Sequence, residues 1–189
     1  MKRFWFDVET TGLHSHKDSI HQLAVLIEID GVIVDTAEIK MRPFHFEELP
    51  EDYVTPVGGI TKKIMYGYGS QHEGFKKLKK LLSKYVNQFD RTDKFYAAGY
   101  NCQAFDMGFL RVFFEKNGDT FFGSWFWSHS IDVMIIAGYK LEKERVRMSN
   151  FKLETVAKHF GLSVEGEGFH DALSDVKITR EILECVEMI

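Results

Sequence analysis

The chain has 189 residues, 44% hydrophobic and 28% charged, with 17 Phe, 7 Tyr, 3 Trp and 3 Pro. This suits one compact domain over residues 1–189 that buries roughly 70% of its unfolded surface, and it excludes a long disordered segment; no apolar run reaches the roughly 20 residues that span a bilayer. A net charge of −4 argues against nucleic-acid binding through bulk positive charge, although an acidic metal site accounts for such a deficit by itself.

Phe4, Phe6 and Val8 alternate with Trp5, Asp7 and Glu9, the period of a strand, and Thr10-Thr11-Gly12 ends it. Leu23 to Ile29, the turn signal Asp30-Gly31 and a run from Val32 to Met41 predict a two-stranded hairpin. Arg42 to Gly59 holds all three prolines and neither period, which predicts a long surface connection. Ser70 to Phe89 places Phe75, Leu78, Leu81, Leu82, Tyr85 and Val86 at helical spacing, with lysines mostly elsewhere on the wheel. Lys94 to Gly99 suits a short strand, and Ala104 to Lys116 a helix ended by Asn117-Gly118. The aromatic stretch Phe121 to Trp127 reads as core packing, and Glu142 to Arg147 as an exposed loop. Ile131 to Leu141, Asn150 to Phe160 and Asp171 to Met188 read as helices, with Asp132 starting the first. Early strands followed by mixed strands and helices predict an α/β domain with a mixed central sheet.

Asp7 and Glu9, two apart on a strand, project from one face roughly 6 to 7 Å apart at the backbone. Such a pair is either an exposed face or a set of hard oxygen ligands suited to Mg²⁺ or Mn²⁺. The glycine turn Thr10-Thr11-Gly12 directly after it lets backbone N–H groups approach a phosphate or sugar. Asn101 to Asp106 crosses a strand-to-helix junction, where ligands gather in open α/β sheets; Asp106 alone also reads as a first-turn helix acid. His170 to Asp175 follows Gly166-Glu167-Gly168, with Asp171 read as a helix N-cap and His170 and Asp175 left for chemistry. His14, His16 and His21 lie close in sequence but lack the ligand pattern of a zinc site.

The three segments Phe6-Asp7-Val8-Glu9-Thr10-Thr11-Gly12, Asn101 through Asp106 and His170 through Asp175 resemble, in order and content, the motifs of the DEDDh (DnaQ-like) family of 3′-to-5′ exonucleases. Gly59-Ile60-Thr61 and Asn150-Phe151-Lys152-Leu153 resemble connecting elements of its proofreading-subunit branch. The resemblance implies an RNase H-like fold and two divalent metal ions, Mg²⁺ or Mn²⁺, held by Asp7, Glu9, Asp106 and Asp175 with Asp7 bridging. It further implies His170 as general base, suited by an ordinary pKa of about 6.5. Thr10, Thr11, Gly12 and Leu13 would hold the terminal nucleotide and Phe105 would pack against its base or sugar. Asn101 either contacts substrate or serves a strand-end turn.

The expected activity is removal of nucleoside 5′-monophosphates from 3′ ends of single-stranded or frayed nucleic acid, DNA favoured over RNA. RNA trimming or short-oligonucleotide hydrolysis is the enzymatic alternative, and a non-catalytic nucleic-acid-binding or polymerase-associated module the alternative of another class. Association with a DNA polymerase and homodimerisation both stay open, and no membrane partner is expected. Two cysteines, Cys102 and Cys185, are too few for a disulfide framework and suit a reducing cytoplasm.

Overall fold

The computed structural model describes residues 1–163 and 171–189. Three consecutive strands, β1 (Lys2–Thr10), β2 (Ile20–Ile29) and β3 (Val32–Lys40), form an antiparallel meander. Asp30 and Gly31 close the β2–β3 hairpin with φ of 51° and 86°, the positive pair that a two-residue turn of this hand requires. Two strands, β4 (Tyr96–Gly99) and β5 (Ile131–Asp132), add in parallel on the other side of β1, so the sheet order is β3-β2-β1-β4-β5.

Helices cover both faces. The helices α2 (Gln71–Ser83) and α3 (Asp106–Lys116) pack Phe75, Leu78, Leu110 and Phe113 against Phe4, Phe6 and Val8 on one face. On the other, α4 (Val133–Lys140), α6 (Leu153–His159) and α7 (Ala172–Glu187) pack Val133, Val156, Val176 and Ile182 against Trp5, Ala24 and Leu26. Strand alternation thus divides β1 between two cores, and Asp7 and Glu9 belong to the Trp5 side, beneath α7. Glu28, 2% exposed, joins that layer together: its carboxylate accepts from Arg3 Nη1 (2.8 Å), Trp5 Nε1 (3.1 Å) and Arg180 Nε (2.8 Å).

Several expectations need correction. The 42–59 connection carries a 3₁₀ turn, Phe46–Glu48, and with the short helix α1 (Lys62–Met65) it builds a satellite core of Phe46, Leu49 and Met65. Its aperiodic spacing hid that core, because contacts there span loops rather than one regular element. Helix α2 stops at Ser83, where Lys84 and Tyr85 turn to three-residue hydrogen bonds, although Val86 beyond it is still buried. Ile131 and Asp132 are strand, because the sheet edge beside β4 takes them, while Asp132 also starts α4 as its N-cap, as expected. The 142–147 segment contains one helical turn, α5 (Glu142–Arg145), and Arg145 lies 4.5 Å over the Phe151 ring. The 121–127 stretch is core as expected at Phe122, Trp125 and Phe126, while Phe121 is exposed. Both cysteines are free thiols.

Candidate active site

Strand β1 continues past the point where β4 ends at Gly99, leaving the Val8 N–H without a strand partner on that side. Asp106, first residue of α3, fills the gap: its Oδ1 accepts from Val8 N at 3.1 Å. Close approach at this junction requires Gly99, since a Cβ there would stand 2.8 Å from Phe6 O and 2.8 Å from Cys102 Cβ. Asp132 shapes the turn between β4 and α3. Its carboxylate accepts from Asn101 N and Gln103 N, both at 3.0 Å, while also capping α4 through Met134 N at 3.1 Å. Asn101 itself has a left-handed φ of 56°, so a turn role is established for its backbone.

From the opposite layer, α7 brings Asp175 over the end of β1. Asp171 is its N-cap, accepting from Ser174 N at 3.1 Å, which sets Asp175 in the first turn. Ligand oxygens of Asp7, Glu9 and Asp175 all lie within 4.8 Å of one another. Burial, then the charges of Asp106, Glu9, Asp175 and Asp171, push the Asp7 carboxyl well above the usual carboxylate range. Glu9 is pushed up to about 7 by burial and then by Asp175, Asp106 and Asp171. Asp106 is likewise raised to about 7, chiefly by burial, against the lowering effect of the Val8 N–H. Among the described residues no cation forms an ion pair with Asp7, Glu9 or Asp106. Burying like charges this way is unfavourable without positive charge between them. Hard carboxylate oxygens converging on one point are the donor set that Mg²⁺ or Mn²⁺ takes, so the residues fit such ions.

The loop after β1 is tightly built. Thr11 exchanges bonds with Ser19 (N to O and Oγ1 from N, both 3.0 Å), and Thr10 Oγ1 donates to Gly12 O at 2.7 Å. A Cβ at Gly12 would meet the Asp18 carboxylate at 2.5 Å, and that carboxylate accepts from His14 N at 2.8 Å. Leu13, 78% exposed, projects from this rigid loop, and Phe105 is half-buried with its ring 5.0 Å from Phe109. Tyr53, which sequence reasoning passed over, donates its hydroxyl to Thr11 O at 2.9 Å from the 42–59 connection; nothing local in the sequence signals that pairing.

The structure therefore brings Asp7, Glu9, Asp106 and Asp175 to one end of the sheet, beside Thr10 to Leu13 and Phe105. His170 lies outside the described residues. The other histidines do not join a ligand group: His14 and His16 are exposed, and His21 is buried in β2 with neither ring nitrogen bonded among the described residues.

Over residues 4–183 the chain matches the RNase_T exonuclease family. It belongs to that family, and so to the nucleases, hydrolases of the phosphodiester bond. Its relatives include a PolC-type DNA polymerase III from Lacticaseibacillus paracasei, 30% identical over 184 residues, and one from Clostridium perfringens, 28% identical over 179 residues. The matches cover 96% and 95% of this chain but 11% of each polymerase. In fold it matches the zinc-bound complex of E. coli exonuclease I with single-stranded DNA, with a TM-score of 0.74 and 22% identity over 99% of this chain and 40% of that one. Exonuclease I in its apo form gives a TM-score of 0.71 at 21% identity, over 99% of this chain and 42% of that one. The architecture is thus RNase H-like, a mixed five-stranded sheet between helices.

Proposed function

We propose that this chain is a divalent-metal-dependent 3′-to-5′ exonuclease that acts on single-stranded or frayed 3′ ends, DNA preferred, and releases nucleoside 5′-monophosphates. The observation that carries the reading is the convergence of Asp7, Glu9 and Asp175, ligand atoms within 4.8 Å, beside Asp106 in a chain of the exonuclease family. A DNA preference is supported by the polymerase names of the relatives and by the single-stranded DNA in the exonuclease I complex. The same names support a role beside a DNA polymerase, in proofreading or repair. Two free thiols suit a cytoplasmic enzyme, and among the described residues no helix is long and apolar enough to cross a membrane.

Asp7, Glu9, Asp106 and Asp175 would hold two Mg²⁺ or Mn²⁺ ions. Bound there, such ions supply activation of the attacking water and stabilisation of the departing 3′ oxygen. The residues of the chain do the rest. The loop from Thr10 to Leu13, fixed by Ser19, Asp18 and Tyr53, positions the terminal nucleotide with its backbone, and exposed Leu13 packs against the base. Phe105 supports the sugar or base from the α3 side, and Asn101 holds the turn that carries it. His170 accepts the proton of the attacking water; near neutral pH an imidazole is well matched to that transfer.

The test uses matched DNA and RNA strands labelled at the 5′ end, with Mg²⁺, Mn²⁺ or EDTA, for the wild type and Asp7→Ala. Shortening from the 3′ end that EDTA and the variant both abolish supports the reading, and the faster strand identifies the sugar. No shortening of either strand by folded, metal-supplied protein overturns it in favour of a binding module.

A further inference from the structure

We propose that a groove outside the carboxylate site, between residues 42–47, the start of α2 and the end of α3, carries the nucleic-acid strand on the 5′ side of the nucleotide being removed. The inference rests on the nuclease reading above and gives its substrate a minimum length. The groove has a volume of about 510 Å³, enough for a nucleotide-sized group. Its walls combine two cations with an exposed ring: Arg42, Lys116 and Phe44, the last 42% exposed.

Three observations point to a nucleic-acid strand. First, the cations are available. Lys116 Nζ sits 5.3 Å over the Phe44 ring and donates to His16 O at 3.0 Å, and Arg42 lies 5.5 Å over the Phe46 ring. Among the described residues neither is in an ion pair, on a chain whose net charge is −4. Glu47 is the carboxylate lining the groove, and exposed His72 lines it as well. Cations interleaved with an aromatic face suit a phosphate backbone with stacking bases, and such stacking is sequence-tolerant.

Second, the groove is wired to the loop at the carboxylates. Phe44 N donates to Ser19 Oγ at 3.2 Å, and Ser19 is the residue whose backbone pairs with Thr11, two positions beyond Glu9. Third, the separation fits. Helix α3 begins at Asp106 and ends at Lys116, ten residues on, so the groove lies about 15 Å from the carboxylates at 1.5 Å per residue. That is the reach of several nucleotides and beyond that of a dinucleotide.

The experiment measures binding of 5′-fluorescein-labelled oligothymidylates, a dinucleotide and an octamer, by fluorescence anisotropy in EDTA. Wild type is expected to hold the octamer more tightly. The double variant Arg42→Ala, Lys116→Ala weakens octamer binding about tenfold or more, changes dinucleotide binding less than about twofold, and lowers the octamer's salt slope by about 1.4, two phosphate contacts on a single strand. Phe44→Ala weakens the octamer about tenfold and Phe44→Trp retains it. A control of equal charge change, Lys76→Ala with Lys143→Ala, stays within about twofold of wild type. Equal losses at both lengths, an equal loss in the control, or no loss at all overturns the proposal. Shortening of the octamer by wild type in Mg²⁺ is scored separately, so the nuclease reading and the groove fail or stand independently.

Discussion

The backbone N–H of Val8 donates to Oδ1 of Asp106 at 3.1 Å, across 98 residues of sequence. One carboxylate thereby has two tasks: it completes the hydrogen bonding of β1 between the two strand acids, and it adds negative charge beside Asp7. Substitutions separate them. Asp106→Asn retains an acceptor for Val8 and is expected to fold as stably as wild type, yet lose cleavage about 1,000-fold, equivalent to roughly 4 kcal/mol. Asp106→Ala loses cleavage and also about 1–3 kcal/mol of stability through the orphaned N–H. Urea unfolding beside an oligonucleotide assay reads both, and an Asn variant cleaving at the wild-type rate removes Asp106 from the ligand set.

Metal-free protein should lose stability as pH rises from about 4.5 to 7.5, the interval between the unfolded and folded values of its site carboxyls. Asp7, Glu9 and Asp106 all titrate higher in the folded chain than in the unfolded one, Glu9 and Asp106 near 7. Folded protein therefore holds protons that unfolded protein has released, and raising the pH through the folded values removes that stability, on the order of 3 kcal/mol for a group such as Glu9. Below 6.5 the slope is opposed by His21, whose pKa burial lowers to about 4 and which contributes stability that falls away in acid. Thermal melts in EDTA across that whole interval should show the decline. Saturating Mg²⁺ should flatten it, with a metal-induced shift that grows with pH.

Asp132 is expected to act on the site without touching it. Asp132→Ala leaves the N–H groups of Asn101, Gln103 and Met134 without their acceptor. The cost is about 3 kcal/mol of stability, and because this turn carries Phe105 and Asp106, Mg²⁺ affinity should fall about 10- to 100-fold. Titrating Mg²⁺ against the melting temperature of the variant at pH 8 checks it; an unaltered midpoint confines Asp132 to a structural role.

Glu28 offers a test of the fold. Glu28→Ala removes the shared acceptor of Arg3, Arg180 and the Trp5 indole, though Arg180 keeps its pair with Glu184, and should lose about 2–4 kcal/mol, whereas cutting one arm with Arg180→Met should lose less. Chemical denaturation of both variants supplies the comparison.

Local patterns carried much of this structure in plain sight. Alternation in β1 put Asp7 and Glu9 on one face, Asp30-Gly31 closed the hairpin, and Ser70 opened α2 with a capping box. Asp106 and Asp175 were legible through their motif residues. What stayed hidden depends on contacts distant in sequence. The Tyr53 bond to Thr11, the triple use of Asp132, the Glu28 cluster and the two-residue strand β5 have no period to detect. The satellite core around Phe46 was missed for the same reason, and the groove beside it went with it.

The carboxylates are contributed by the first strand, by a helix midway along the chain and by α7. During synthesis from the N-terminus, Asp7, Glu9 and Asp106 can therefore settle long before Asp175 exists. The crowding of like charge that Asp106 and Glu9 begin around Asp7 is completed at the moment α7 docks on β1 and β2, and cations favour that docking by screening it. The carboxylate set is thus incomplete until α7 is in place: the same step that closes the second core brings the last acid to it.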